Sequence, residues 1–132
     1  MEEGDLSPAA CQELLRSATV GRVAVATPAG PDVVLVEFRI LELDGEPTLV
    51  LSTTPYSVLD SADPAAMLAF EVHDSVDGEW RYVVVRGRAR RVANGRTLDL
   101  IRAAWENGPG RRRVLLAMEM THVNGRRVGT GL

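Results

Sequence analysis

The segment 80–92 constrains the fold of this chain more than any other part of the sequence. Within it, small and apolar residues share one face, at Val83, Val85, Gly87 and Ala89, and arginines share the other, at Arg86, Arg88 and Arg90. Successive side chains of a β-strand point to opposite faces, so one face of this strand is apolar. Because small residues along that face suit the inside of a tightly curved sheet, the segment predicts one wall of a β-barrel.

Five further segments have the same two-residue alternation, which predicts six strands at 22–27, 33–41, 48–53, 67–73, 80–92 and 114–120. Turn signals such as Asp44-Gly45 and Asp77-Gly78 separate several of them. Tight turns imply antiparallel neighbours, and closing the sheet suppresses its edges. We therefore predict an α+β protein with a mainly antiparallel six-stranded barrel, with an open sandwich as the alternative.

Short helices are predicted beside the sheet. Ser7-Pro8 is typical of a helix start and predicts a helix over 8–16, and a second short helix is predicted over 58–62. A third follows Asn94-Gly95, where Leu98, Ile101 and Trp105 recur at helical spacing. The segment 124–127 is predicted to be a turn that leads into a short tail.

Length and composition predict one folded domain over residues 1–132. The chain has 45% hydrophobic and 25% charged residues, which is the ordinary globular mixture. The longest apolar runs are too short to cross a bilayer, the first residues are acidic, and there is a single cysteine, Cys11. We expect a cytoplasmic protein without membrane or nucleic-acid partners, since a net charge of −3 argues against phosphate-backbone binding.

Few residues indicate chemistry directly. His73 and His122 are the only histidines and form no ligand-spaced cluster, so no metal site is predicted. No nucleophile motif surrounds Cys11 or Ser52, and no catalytic residue can be named. All 15 basic residues are arginines, so any anion would be held by guanidinium, hydroxyl or backbone N–H groups. The hydroxyl-rich stretch 52–57 at the end of the third predicted strand is the best candidate for such a site.

The order of several sequence segments resembles the pyridoxamine 5′-phosphate oxidase-like family of FMN-binding split β-barrels, and in particular its small flavin-binding branch. The segments that carry the resemblance are 6–7, 14–15, 20–25, 30–31, 70–74, 80–89 and 123–127. The resemblance implies a split barrel that forms a homodimer, with two flavin sites at the subunit interface. It also implies oxidoreductase chemistry in which the flavin carries the electrons, on a substrate that the sequence does not identify.

The resemblance further implies three groups of cofactor-binding residues. The second strand would lie along the flavin ring, the loop after the third strand would receive the phosphate, and an aromatic pair would reach the flavin of the partner chain. These residues are, in that order, Val36, Glu37 and Phe38; Ser52, Thr53, Thr54, Ser57 and Val58; and Trp80 and Tyr82. Arg126 is a candidate phosphate clamp, with Arg22, Arg39 and Arg127 as alternatives.

The chain departs from the family pattern at two places. Family members usually have a glycine and a lysine in the phosphate loop, where this chain has Tyr56 and Val58. The second strand has Leu35-Val36-Glu37-Phe38, where the family tends toward a proline and an asparagine. Two alternatives to FMN binding therefore stay open: a dimeric split-barrel module without a cofactor, and a relative that binds a deazaflavin.

Overall fold

The computed structural model describes residues 4–129 of the chain. It contains nine strands and two helices, in the order β1 (Gly4–Asp5), α1 (Pro8–Ser17), β2 (Val20–Thr27), β3 (Gly30–Leu43), β4 (Glu46–Thr53), β5 (Leu68–Val76), β6 (Glu79–Gly87), β7 (Ala89–Arg91), α2 (Gly95–Ala104), β8 (Val114–Met118) and β9 (His122–Val128). Among the described residues, neither helix is long and apolar enough to cross a membrane.

All nine strands belong to one antiparallel sheet, in the order β1-β9-β6-β5-β2-β3-β4-β8-β7. The sheet is open and curved like a split barrel, which confirms the predicted fold class. The alternating apolar residues line its inner face, where the rings of Phe38 and Phe70 meet edge to face at 4.7 Å between centroids. Val83 and Val85 are fully buried there, as the alternation in β6 predicts.

The helices close two different sides of the sheet. Ser7 caps α1 by accepting a hydrogen bond from the amide of Ala10, and the apolar face of α1 places Leu14 and Leu15 in the core. Helix α2 covers part of the outer face, where Ile101 and Trp105 are buried against β3, β4 and β8. Trp105 is therefore a core residue, as its helical spacing predicts.

The sheet has three strands more than the predicted six, because β1 and β9 lie outside the predicted strands and the segment 80–92 divides at Arg88. Before that point the chain pairs with β5 and β9, and after it β7 pairs with β8. The switch requires a glycine, since a Cβ at Gly87 would overlap the backbone carbonyl of Glu119. The amide of Glu119 in turn donates to the carbonyl of Arg88 at 2.9 Å. The continuous segment 80–92 thus contributes two strands, β6 and β7, to different parts of the sheet.

Two other predictions were wrong. The segment 124–127 is not a turn: it lies inside β9, where Gly125 faces the core and leaves room for the Sγ of Cys11 and for Leu6. The segment 58–62 forms turns rather than a helix. There the amide of Tyr56 bonds the side chain of Asp60, so local side-chain bonds replace a regular helical start.

Substitution at Gly87 tests the strand switch. We expect Gly87→Ala to destabilise the protein by about 2 kcal/mol or more, because the added methyl group would force β6 away from the backbone of Glu119. Urea denaturation followed by circular dichroism measures the change. Gly95→Ala is the matched control, since nothing lies within 4 Å of its Cβ position, and it should leave stability unchanged or raise it slightly. Equal stability of the two variants would contradict the strand switch.

Candidate functional site

Polar residues gather at two places on the outer face of the sheet. The first, which we call the strand-end cluster, consists of Ser52 near the end of β4, Arg113 directly before β8, and Glu37, which lies opposite Ser52 in the middle of β3. The second, the open sheet face, lies on β2, β5, β6 and β9, and carries Arg22, Glu71, His73, Trp80, Tyr82 and Arg126.

A buried hydroxyl and an arginine define the strand-end cluster. Ser52 is only 1% exposed, and its neighbour across the ladder on β3 is Glu37. The Nε of Arg113 donates to the Oγ of Ser52 at 3.0 Å, and its Nη2 donates to the carbonyl of Ser52 at 3.0 Å. These two bonds fix a partly buried guanidinium group beside the end of β4. The cluster therefore offers oriented N–H donors of the kind that bind phosphate or carboxylate groups.

The loop 54–67 after β4 is largely satisfied by its own side chains. Thr53 lies on the inner side of β4, and its hydroxyl meets the Oγ of Ser57 at 2.8 Å. The Oγ of Ser57 also accepts the amide of Asp60 at 3.1 Å. The amide of Tyr56 donates to the Oδ2 of Asp60 at 2.9 Å, so a carboxylate already occupies the place beside that donor. The Tyr56 side chain is 93% exposed and fills no pocket.

Of the three residues expected beside a flavin ring, only one presents its side chain on the outer face. Val36 and Phe38 are buried in the core, so their side chains face away from the strand-end cluster. Glu37 between them is exposed. Thr54 and Val58 are exposed loop residues. The three residues predicted on β3 thus lie on both faces of the sheet, because successive side chains of a strand point to opposite faces.

The open sheet face is organised in rows across the ladder. Tyr82 lies opposite His73 on one side and Arg126 on the other. Trp80 is 43% exposed, and its ring lies 5.8 Å from the His73 ring, centroid to centroid. A shallow depression of about 430 Å³ is lined by these aromatic residues together with Arg22 and Glu71. It thus combines two aromatic rings with three charged side chains, since Arg81 also lines it.

A second and larger cavity adjoins this depression along Tyr82. Its volume is about 570 Å³, and its walls come from α1, β6 and β9 and from the segment that joins β1 to α1. Arg126 lines it, with its Nη1 at 3.4 Å from the Oδ1 of Asp5. The thiol of Cys11 lies at the inner wall, and burial raises its pKa. The Cys11 thiol is therefore a poor nucleophile in this setting.

Within one chain the two polar groups meet only at their inner ends. Arg22 and Glu37 lie on the adjacent strands β2 and β3. Tyr82 and Ser52 lie farther apart, because strands β5, β2 and β3 separate β6 from β4, which is four steps of about 4.8 Å each along the sheet. A small ligand beside Ser52 and Arg113 therefore does not reach Tyr82 and Arg126 of the same chain.

Arg113 is the functional candidate that the sequence did not single out. Its position directly before β8 places it at the end of β4, through the pairing of Thr53 with Val114. The arginines named as alternative phosphate clamps already interact with other side chains. Arg22 pairs with Glu71 and Arg127 with Glu79, and the guanidinium of Arg39 lies over the Trp105 ring.

Comparison with known proteins identifies the family. A sequence model of the pyridoxamine 5′-phosphate oxidase family matches residues 7–127. The chain belongs to this family, which confirms the resemblance seen in the sequence. No curated protein sequence matches the chain.

Solved structures share the whole fold. A FAD-binding protein from Mycobacterium smegmatis has a TM-score of 0.80 and 24% identity, over 97% of this chain and 100% of that chain. A FAD-binding protein from Mesorhizobium loti has a TM-score of 0.80 and 23% identity, over 98% and 100%. A FAD and heme binding protein from M. smegmatis has a TM-score of 0.69 and 15% identity, over 99% and 75%. At these identities the likeness shows the fold alone.

An ion pair beside the open sheet face makes stability depend on pH. Arg81 donates two hydrogen bonds to Asp74, from Nε at 3.0 Å and from Nη2 at 2.6 Å. These bonds, with smaller charge effects, lower the pKa of Asp74 despite its partial burial. A carboxylate with a lowered pKa stabilises the fold above its unfolded pKa of about 3.9, and this contribution is lost as the pH falls through the folded pKa.

We expect Asp74→Asn to lower the free energy of unfolding by about 1 kcal/mol at neutral pH, because it breaks a bidentate but partly solvated pair. Urea denaturation at neutral and acidic pH measures the difference, which should shrink well below pH 4 because Asp74 is then protonated in the parent protein too. Asp99→Asn, on the exposed surface of α2, is the control and should have no such pH dependence. A constant deficit for Asp74→Asn across this range would contradict the assignment.

Proposed function

We propose that this protein is a homodimeric flavoprotein of the oxidoreductase class, with each flavin held between the strand-end cluster of one chain and the open sheet face of the other. The observation that carries the proposal is the guanidinium group of Arg113, fixed on buried Ser52 at the strand end where the family is expected to place its cofactor phosphate. A flavin bound there would supply the electron transfer, and the protein would orient it.

The donor groups at the end of β4 fit a phosphate, although those of the loop fit it less well. Arg113 keeps donor capacity beyond its two bonds to Ser52, because a guanidinium group carries five N–H donors. Two residues after Ser52, the side chain of Thr54 is exposed and carries a further hydroxyl. In the loop, by contrast, the Tyr56 amide is satisfied by Asp60. The phosphate is therefore proposed to lie toward Arg113 rather than deep in the loop.

FMN is the smallest ligand consistent with the proposal, since its ring and phosphate are also parts of FAD. Two relatives that match this fold end to end are FAD-binding proteins, which supports a flavin in this family without selecting its length. Trp80, Tyr82 and Arg126 would contact the flavin of the partner chain. Their aromatic faces suit stacking on a ring, and the cation suits an electron-rich edge.

The unpartnered outer face supports the homodimer. Val20, Val33 and Leu35 on β2 and β3 are 51%, 60% and 72% exposed, and Val20 and Leu35 lie across the ladder from Glu37 and Arg22. Exposed apolar patches on sheet faces are typical of subunit interfaces. A second copy is also the simplest partner that brings the two polar groups to one ligand.

A dimeric module without a cofactor is the second candidate function. It is favoured by the carboxylate of Asp60 beside the Tyr56 amide, and by the exposed carboxylate of Glu37 next to Ser52. Both would repel a phosphate, and neither is offset by a lysine in the loop. In this case the outer face would serve association alone.

Flavin binding is tested by titrating FMN, FAD and a deazaflavin into purified protein and following fluorescence. We expect micromolar or tighter binding of a flavin, and Arg113→Ala should weaken it by about tenfold or more because a charge-assisted bond to phosphate is lost. Arg112→Ala is the matched control, since Arg112 is exposed and adjacent, and it should bind like the parent protein. Unquenched fluorescence of all three ligands would favour the module without a cofactor.

The dimer is tested by light scattering after size exclusion. We expect the parent chain to elute as a dimer and Leu35→Glu to elute as a monomer, because a buried carboxylate would replace an apolar contact. Leu100→Glu is the control, since Leu100 is also exposed, at 40%, but lies on α2. A monomeric parent protein, or a Leu35→Glu variant that stays dimeric, would contradict the proposed interface.

A further inference from the structure

Three polar residues on the open sheet face form a bonded chain that the proposed flavin contacts do not use. The carboxylate of Glu71 accepts from Arg22 with one oxygen, at 2.9 Å from its Nε, and meets the Nδ1 of His73 with the other at 2.7 Å. Arg22 lies on β2, and the other two residues occupy alternate positions of β5, on the same face. We call this set the Arg22–Glu71–His73 chain.

The contact with Glu71 determines which nitrogen of the His73 ring carries the proton. Since a carboxylate accepts hydrogen bonds, the Nδ1 of His73 carries the proton, and Nε2 is left as the atom that gains or loses one. His73 is 44% exposed, so this second nitrogen has access to the depression lined by Trp80 and Tyr82. A carboxylate that orients an imidazole in this way is the arrangement by which proteins prepare a histidine for proton transfer.

A purely structural role explains the arrangement poorly. Ion pairs this exposed contribute little to stability, because solvent screens them and ordering the side chains costs entropy. Yet Glu71 engages both neighbours with short contacts, and the ring of His73 is further held against that of Trp80. The result is an oriented titratable group beside two exposed aromatic rings, on the face where the proposed ligand would lie.

We propose that His73 is the proton-transfer residue of this protein, with Glu71 and Arg22 as positioning residues. This inference rests on the proposed flavin site and adds the class of substrate: a flat, electron-poor carbonyl compound such as a quinone. Trp80 and Tyr82 offer aromatic faces to a flat ring, and Nε2 of His73 offers a proton to its oxygen.

The hydride and its two electrons would come from a reduced flavin held by the proposed site, with its N–H bond broken as the hydride bonds to one carbonyl oxygen of the quinone. The electrons of that carbonyl's π bond then move through the ring to the second carbonyl oxygen. This oxygen takes the proton from Nε2 of the protonated His73, so that one N–H bond of the imidazole breaks and a second O–H bond forms, which gives the hydroquinone. The neutral imidazole then regains a proton from water. Glu71 stays ionised throughout and holds the ring while its charge changes.

Several other ionisable groups lie around His73. On its own strand, β5, they are Glu71 and Asp74. On the neighbouring strands they are Arg22 of β2 and Arg81 and Tyr82 of β6. Asp74 and Arg81 neutralise one another through their two hydrogen bonds. Glu71 is therefore the charged group in direct contact with the imidazole, at 2.7 Å from its Nδ1.

The first test measures the orientation of the ring without any flavin. Nitrogen NMR of the imidazoles, at a pH well above their ordinary pKa of about 6.5, distinguishes a proton on Nδ1 from one on Nε2. We expect His73 to carry it on Nδ1 in the parent protein, and Glu71→Ala to move the population toward Nε2. His122, on the edge of the same face, is the internal control and should not respond to that variant. A parent protein with the proton on Nε2 would overturn the positioning role of Glu71.

The second test follows anaerobic reoxidation of the reduced, flavin-loaded protein by a water-soluble naphthoquinone in stopped flow. We expect the parent rate to fall as the pH rises through the imidazole range, and His73→Gln to lower the rate by about a hundredfold and to remove that pH dependence. His122→Gln should match the parent protein. Added imidazole should restore part of the lost rate.

The outcomes separate the two proposals. If the parent protein binds no flavin, the proposed function fails and the role of His73 fails with it. If flavin binds with equal affinity to the parent and to His73→Gln, but the rate and its pH dependence are the same in both, only the role of His73 is overturned.

Discussion

The contact of Gly87 with the backbone of Glu119 is the constraint on which the rest of this structure depends. It allows one continuous run of residues to leave β5 and β9 and to join β8, so that the sheet curves around a single apolar core. A side chain at this position would hold the two backbones apart. Since the inner face is filled mainly by aliphatic and aromatic side chains, the charged groups of the strand-end cluster and of the open sheet face lie on the outer face.

That division explains why the candidate site is incomplete in one chain. The strand-end cluster and the open sheet face lie on the same outer surface, but three strands separate β4 from β6. The exposed apolar residues Val20, Val33 and Leu35 lie on β2 and β3. A second copy that covers these residues would bring the two polar groups to one ligand, so association and ligand binding would depend on the same surface.

The loop after β4 departs from the phosphate loop that the resemblance to the family implies. The Tyr56 amide is satisfied by Asp60, and no lysine is present to offset a phosphate. The cation at this end of the sheet is instead Arg113, which reaches Ser52 from the neighbouring strand β8. Because adjacent strands bring residues distant in sequence side by side, a charge lost from a loop can be supplied by another strand without altering the fold.

The sequence by itself determined the antiparallel class, five of the strand positions, the two long helices and the family, because alternation, turn residues and helix caps are local signals. It also indicated that Trp80 and Tyr82 share a face. Only the tertiary structure decided where the strand 80–92 divides, that 124–127 pairs as a strand, and that Arg113 meets Ser52. It likewise decided that Glu71 links Arg22 to His73. These features depend on register between segments far apart in the chain, and no local pattern specifies register; it is set when the apolar faces pack together.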